Sequence, residues 1–433
     1  EERYMNLKIS PSPLRGTVRT VASKSQMHRM LICASLSRTP TKIFCNTTSA
    51  DIQATISCLC ALGADISQIS STEYSVKPIP QENGVYLPNR GAVLDCGESG
   101  STLRFLIPVA AALGADVTFS GRGRLPYRPL SPLTEALSGH GAFFSATSGL
   151  PLSIKGKLQS GKYKIPGHIS SQFVSGLLFA LPLLSAPSEV NLTSPASSRP
   201  YIDLTLDALQ KSNVSVFNKT DFYSISPASE YRTPDSISIE GDWSNAAFWI
   251  VSGVLHDGVV CSGISRNSLQ GDRKIVDILC EFGAHFTYRK NCVMPHASEI
   301  HGISVDASDI PDLVPILAVA AAYAEGVTII HHAQRLRDKE SDRLASTAAF
   351  LGKMGANIRE TADGLVINGG TPLHGGIISS ANDHRIAMAA AIAATKAQSP
   401  LIIKGAEAVE KSYPHFFDDL AMLGGKAELL EEG

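Results

Sequence analysis

The sequence predicts a two-domain α/β protein assembled from six copies of one mixed helix–strand unit. The first observation behind this is length, since 433 residues exceed what one hydrophobic core organises, and two domains of roughly 200 residues each are the expected division. The second is a recurring pattern in which an amphipathic helix closes on a small-residue turn and runs into a short strand. Its turn residues Gly63, Gly141, Asn213, Gly283, Gly355 and Gly424 fall roughly 70 residues apart. The third is composition. With 44% hydrophobic and 18% charged residues and a net charge of −2, the chain is an ordinary globular protein without the basic excess that nucleic-acid binding requires.

Taken in order, the repeated helix–turn–strand segments span 51–66, 132–144, 202–217, 275–286, 344–358 and 416–429. Gly or Asn at each helix end is the expected left-handed cap. A second, small-residue helix is expected in most units, at 102–113, 171–184, 244–254, 311–324 and 384–395. Strands are expected at 117–120, 190–193, 259–262, 327–330 and 401–404. Units of this length exceed solenoid repeats, and six of them divide into two groups of three with a boundary near 238–243. Residues 6–9 and 16–21 form an additional strand pair whose owner the pattern leaves open. The stretch Glu1-Glu-Arg-Tyr-Met5 lacks an apolar signal core, and Met5 is expected to be the natural start. The most apolar run, 313–330, is interrupted by Pro315, Glu325 and Gly326, so it reads as a buried helix, a turn and a strand, not as a membrane span. Eight cysteines without CxxC or metal spacing point to reduced, mostly buried thiols and a cytoplasmic protein. His331 and His332 are adjacent and expected to diverge, so no metal site is expected.

Charged and hydroxyl-bearing residues gather where loops become helices. The stretch Arg335-Leu-Arg-Asp-Lys-Glu-Ser-Asp-Arg-Leu344 holds seven ionised side chains in ten residues ahead of an apolar helical pattern. A helix start already attracts anions through unpaired N–H groups and a partial positive charge, and Lys339 and Arg343 add to it. Lys24, Ser25 and Arg29 open the helix of residues 30–36, and Gly100 and Arg104 lie on a Gly-rich turn into another. That turn lacks the Lys of a P-loop and the spacing of a dinucleotide fold. Arg122, Arg124 and Arg128 share a Pro-rich loop whose guanidiniums suit carboxylates and phosphates. Ser170, Ser171 and Gln172 open a further helix, as do Ser198 and Tyr201, Asp312, and the run Asp383-His-Arg385; Lys411 follows a strand. Each stretch alone also reads as a capped helix or a solvated turn. Their recurrence in successive units favours an electropositive cleft for two polyanionic small molecules, with Asp312 and Glu340 as its acid–base pair.

The motifs Ser-Lys-Ser-x-x-x-Arg, Gly-x-Ser-Gly-x-Thr-x-Arg, Ser-Ser-Gln, Pro-Tyr-Ile-Asp, Ile-Pro-Asp, Lys-Glu-Ser-Asp-Arg and Asp-His-Arg occur in that order across nearly the whole chain. As a set they resemble the 5-enolpyruvylshikimate-3-phosphate synthase family. The resemblance implies two similar domains, 22–239 and 1–21 plus 240–433, each of three βαβαββ units around buried parallel helices (an inside-out α/β barrel), hinged by two crossovers. It implies a monomeric enzyme of the shikimate pathway to chorismate, without cofactor, membrane or nucleic-acid partner. Shikimate 3-phosphate would be bound by Lys24, Ser25, Arg29, Ser170, Ser171, Gln172, Ser198, Asp312 and Lys339, with Tyr201 lining the site. Phosphoenolpyruvate would be held by Lys24, Gly100, Arg124, Gln172, Arg343, Arg385 and Lys411, with Arg104 nearby. Catalysis would fall to Asp312, Glu340 and Lys24. Glu98, Ser101 and Arg335 depart from the family's commonest residues, which bears on substrate affinity and glyphosate sensitivity. The related transferase acting on a UDP-amino sugar would carry Lys-Asn in place of Lys24-Ser25 and a Cys on the 122–128 loop. A non-catalytic or RNA-end-processing relative would need neither Asp312 nor the Arg set.

Overall fold

The structure, a computed structural model, describes residues 5–226 and 230–430. Residues 1–4 of the N-terminal segment, ahead of Met5, lie outside the described residues, as do 431–433. The chain divides into two compact units, Glu1–Val21 with Glu240–Gly433, and Ala22–Ile239.

Among the described residues each unit holds three four-stranded sheets, and every one of the six has one parallel and two antiparallel pairings. The N-terminal strands Asn6–Ser10 and Gly16–Arg19 do not pair with each other. The first lies between Leu401–Lys404 and Lys426–Leu430, and the second joins Val259–Ser262 in parallel. At the other end of the 22–239 unit, strand Ser236–Ser238 pairs in parallel with Thr41–Phe44.

Two kinds of helix alternate along the chain, for a compositional reason. Trp243–Leu255, Val314–Tyr323 and His384–Thr395 are buried on all faces, apart from a partly exposed Tyr323. Their Ala- and Gly-rich surfaces let neighbouring backbones approach closely. Gly100–Leu113, Ser171–Ala180 and Lys24–Leu36 play the same part in the 22–239 unit. Gly176 makes this explicit, because a Cβ there would lie 2.4 Å from the Arg104 carbonyl oxygen. The alternate helices Ala50–Ala61, Ser131–Ser138, Arg199–Lys211, Ile275–Glu281, Arg343–Lys353 and Phe416–Met422 each bury one face only, as the 3.6-residue period dictates. Each ends at one of the six expected turn residues, and Gly63, Gly141, Asn213, Gly283, Gly355 and Gly424 all have positive φ, from 61° to 114°. The 313–330 run is helix Val314–Tyr323, a turn and strand Val327–His331. No described helix is long and apolar enough to cross a membrane. All eight cysteines are free, and five are buried.

Candidate active site

In the 240–433 unit the starts of the three buried helices converge. Asp242 caps the first by accepting the Asn245 N–H at 2.8 Å, and Asp383 caps the third by accepting the Arg385 N–H at 2.9 Å. Asp312 stands in the Pro311–Leu313 turn that leads into the second. Between them comes Arg343, the first residue of Arg343–Lys353, whose cap Asp342 accepts the Ala345 N–H.

Arg343 is 1% exposed and gives all three edges of its guanidinium to carboxylates. Its Nε donates to Asp383 Oδ2 at 2.8 Å, Nη1 to Asp312 Oδ1 at 2.8 Å, and Nη2 to Glu340 Oε2 at 2.7 Å. Burial works against its charge, but the three surrounding carboxylates outweigh that and raise its pKa above the usual arginine value. Ser341 donates to the same Asp383 oxygen at 3.0 Å. Asp312 is encircled in turn, with Lys339 Nζ at 3.5 Å and Arg385 Nη2 at 3.5 Å in addition to Arg343. Arg385 is 3% exposed, and its Nε and Nη1 have no hydrogen-bond partner among the described residues. A buried guanidinium with two unspent donors suits an incoming carboxylate or phosphate. Lys411 Nζ donates to the Asn382 carbonyl at 2.6 Å, at a point where Ala381 and Asn382 both have left-handed backbone (φ 54°).

Asp272 adds a carboxyl from outside the motifs. It is buried, accepts a hydrogen bond from the Ser244 hydroxyl, and its Oδ1 has no partner. Burial, reinforced by the charge of nearby Asp312, pushes its pKa up to about 7. The surroundings of Asp312 are therefore not the cationic face expected from the sequence. Lys339, Arg343 and Arg385 are matched by Asp312, Glu340, Asp383 and the buried Asp272.

In the 22–239 unit the corresponding helix caps are serines, not carboxylates. Ser23, Ser99 and Ser170 cap the three helices, accepting from Gln26, Thr102 and Gln172. Lys24 Nζ lies 2.8 Å from Asp51 Oδ2, in the first turn of Ala50–Ala61. Arg104 Nη1 donates to Gln172 Oε1 at 2.7 Å, and Gln172 Nε2 donates to Ser101 Oγ at 2.9 Å, which fixes the amide's orientation. Arg104 also reaches the Pro129 carbonyl at 3.2 Å and lies over the Phe173 ring. Arg128 is buried with a guanidinium nitrogen 2.6 Å from where a Gly100 Cβ would stand, so glycine is what lets it lie over this helix start. Arg124 is exposed, and Glu98 lies over the neighbouring Gly123. Ser198 precedes Arg199–Lys211 with left-handed backbone, and its hydroxyl makes no capping bond. Ser171 is buried and Ser25 and Tyr201 are half-buried.

Arg29, expected to bind shikimate 3-phosphate, also has contacts within the protein. It is 2% exposed, and its three donor groups go to Thr205 Oγ1 (2.9 Å), the Ser25 carbonyl (2.6 Å) and the Tyr201 carbonyl (2.7 Å). Burial lowers its pKa to about 10. Arg29 thus ties Lys24–Leu36 to Arg199–Lys211 and orients the backbone of Ser25 and Tyr201. His28, beside it, is held well below the ordinary histidine range by burial and by Lys24 and Arg29, and its Nδ1 lies 2.7 Å from Thr55 Oγ1.

Comparison with known proteins gives the chain's family. The family model described as EPSP synthase (3-phosphoshikimate 1-carboxyvinyltransferase) matches residues 9–420. The chain belongs to the EPSP synthase family. It is 44% identical to the 3-phosphoshikimate 1-carboxyvinyltransferase of Clostridium kluyveri over 425 residues, with 98% of each chain covered. To the protein of the same description from Clostridium acetobutylicum it is 42% identical, with 97% of each covered. Among solved structures it matches the EPSP synthase of Acinetobacter baumannii with a TM-score of 0.83 at 25% identity, covering 99% of this chain and 100% of that one.

Within this EPSP synthase family member, sequence reasoning passed over Asp51, Asp272, Ser244 and the Gly100–Arg128 contact. Asp51 could have been found, since a carboxylate two residues after a capping Ser marks a helix start. Asp272 follows an unremarkable Gln-Gly pair, and nothing in its neighbours foretells full burial. His331 and His332, expected to diverge, instead bring their Nδ1 atoms within 3.2 Å of each other. Arg335 has a structural contact, donating to the Ser308 carbonyl at 2.7 Å. Arg337 bridges Asp342, Glu360 and the Thr361 carbonyl, so the charged block is braced from behind as well.

Proposed function

We propose that this chain transfers the enolpyruvyl group of phosphoenolpyruvate to the 5-hydroxyl of shikimate 3-phosphate, releasing phosphate through a tetrahedral ketal. The observation that carries the reading is Asp312 and Glu340 sharing one buried arginine, with Lys339 near the same Asp312 oxygen and Arg385 at the other. Two carboxylates with different surroundings are what separate base and acid roles require. Asp312 takes the proton of the 5-hydroxyl as its oxygen bonds to C2 of phosphoenolpyruvate, and Lys24 assists. Glu340 delivers a proton to C3, closing the ketal. It then removes a C3 proton as the C–O bond to phosphate breaks, leaving the enol ether. Each positioned proton transfer contributes about 10²–10⁴-fold.

Glu340 accepts from Arg343 as a carboxylate, so that contact has to loosen as substrates enter if Glu340 is to arrive protonated. Exclusion of water would assist by disfavouring the charged form. Arg385, Arg343, Arg124, Lys411 and the Gly100 helix start bind phosphoenolpyruvate, with Arg104 holding Gln172 in place. Ser25, Ser170, Ser171, Gln172, Ser198 and Lys339 bind shikimate 3-phosphate beside Tyr201, and Arg29 acts by orienting Ser25 and Tyr201. The enzyme works as a cytoplasmic monomer, which sedimentation of the purified chain checks. Phosphate release from phosphoenolpyruvate, measured with shikimate 3-phosphate, with a UDP-amino sugar and with neither, tests the reaction. Release should require the first acceptor, and release with the sugar instead would refute the assignment.

A further inference from the structure

Strand Ser304–Asp306 runs parallel to Val327–His331 with Asp306 opposite His331, so the carboxylate and the imidazole reach the same end of the sheet. An adjacent residue on a continuing strand would point to the other face. The strand stops instead, and His332 adopts left-handed backbone (φ 57°), which returns its ring to the side of His331. That uncommon conformation for a residue with a Cβ is held by the Asp363 turn. The His332 N–H donates to Asp363 Oδ2 at 3.1 Å, and the Ala333 N–H to the Asp363 carbonyl at 2.7 Å. On the other strand, Asp306 Oδ1 accepts the Ser308 N–H at 2.9 Å, leaving Oδ2 turned toward the histidines.

The result is three donor atoms gathered at one end of the sheet. His332 Nδ1 lies 3.2 Å from His331 Nδ1 and 3.1 Å from Asp306 Oδ2, and all three atoms are within 4.8 Å of one another. Hydrogen bonding does not satisfy this arrangement. A carboxylate only accepts, and one ring nitrogen carries at most one hydrogen. If the His332 N–H points to Asp306, that nitrogen has no lone pair left for His331. A shared cation satisfies all three atoms at once. Two ligands each about 2.0–2.1 Å from a tetrahedral Zn²⁺ stand about 3.3 Å apart, close to both short separations.

We propose that Asp306, His331 and His332 form a surface site for a late first-row divalent cation, Zn²⁺ fitting best, with solvent as the fourth ligand. Two imidazoles and one carboxylate are a borderline donor set that favours such ions over Mg²⁺ or Ca²⁺. The supports from Ser308 and Asp363 orient the ligands in advance, as outer hydrogen bonds do in metal sites generally. The ion would clamp the ends of two strands. It would also brace the Asp306–Ser308 turn, whose Ser308 carbonyl holds Arg335 at the head of the block carrying Lys339 and Glu340.

The test uses the full chain without an affinity tag, stripped with chelator and titrated calorimetrically with ZnCl2 and spectroscopically with Co²⁺. One Zn²⁺ per chain and the intense visible bands of tetrahedral Co²⁺ are expected. Asp306→Asn, His331→Ala and His332→Gly (the last keeping the left-handed backbone) should each weaken binding about tenfold or more. Cys280→Ser, which removes the exposed thiol, should leave binding unchanged. Metal-free circular-dichroism melting shows which variants fold, and any one folded variant decides the matter. Absence of binding by the unmodified chain, or affinity unaltered in a folded variant, overturns the site.

Discussion

The two units repeat one architecture, three four-stranded sheets with buried helices, yet their helix starts are furnished differently. In Glu240–Gly433 the centre is ionic, with Arg343 buried under Asp312, Glu340 and Asp383 and with Asp312 held again by Lys339 and Arg385. In Ala22–Ile239 the helices are capped by three serines, and the Ser101–Gln172–Arg104 chain and the Lys24–Asp51 pair stand among cations with fewer carboxylates. The same backbone therefore serves two chemistries. Carboxylates held by shared cations suit proton transfer, whereas hydroxyls and an oriented amide suit recognition of a polyol. Substitutions in the ionic centre should act on turnover and folding together, and those at the exposed cations of the serine-capped unit on binding.

The largest effect is expected from Glu340→Ala, which removes the proposed C3 acid. Turnover measured as phosphate release should fall by about 10²–10⁴-fold while shikimate 3-phosphate still binds. Near-normal turnover would sink the role. Arg343→Met attacks the same centre from the structural side, because it leaves Asp312, Glu340 and Asp383 without their common partner. Breaking a buried ion pair from one side costs about 3–5 kcal/mol, read by chemical denaturation. Lys24→Met removes a cation that is itself less deeply buried than Arg343, 17% against 2% exposed at the side chain, and should cost clearly less. Equal losses would erase the contrast between the two units.

On the serine-capped side, Arg124→Ala should raise the Michaelis constant for phosphoenolpyruvate about tenfold or more, as expected for one lost charge-assisted contact. Arg124 is exposed, so stability should change by less than about 0.5 kcal/mol. An unchanged Michaelis constant would remove Arg124 from the substrate contacts. Gly176→Ala places a methyl 2.4 Å from the Arg104 carbonyl oxygen and pushes apart the helices that carry Arg104 and Gln172. A loss of about 1–3 kcal/mol is expected.

How much of this was legible in the sequence depends on the kind of signal involved. Periodicity is a local property, so the six helix–turn–strand units and their left-handed turn residues could be read directly. Lys339, Glu340 and Arg343 were legible because charge at that density in a weakly charged chain stands out. What could not be read was which charges meet. The partnership of Arg343 with Asp383 joins residues 40 positions apart, and it depends on how a half-exposed helix packs against a buried one. Arg29 was legible as a cation, but its bonds to the Thr205 hydroxyl and the Tyr201 carbonyl were not, since they follow from the position of Arg199–Lys211. The meeting of His331 and His332 turns on a single left-handed residue that no side-chain pattern announces.

Asp272 gives the mildest and most selective probe of the ionic centre. Its folded-state pKa is raised to about 7, by burial first and by the Asp312 charge second, with Asp242 adding to this and Ser244 and Arg385 opposing it. In the unfolded chain the group titrates near 3.9. Between these values the folded protein binds the additional proton, so this group's stabilisation is complete below the unfolded value and is lost as pH rises toward 7. The slope is at most about 1.4 kcal/mol per pH unit. Asp272→Asn keeps an acceptor for Ser244 and removes the titration. The variant's stability should therefore decline less than the parent's between about pH 4 and 7, and it should be the more stable of the two above pH 7. Because Asp312 and Arg385 sense the same charge, the acidic limb of the phosphate-release profile should move with it. A stability difference that stays constant from pH 5 to 8 would mean that Asp272 is ionised throughout, and the ionic centre would then carry one more negative charge than its cations balance.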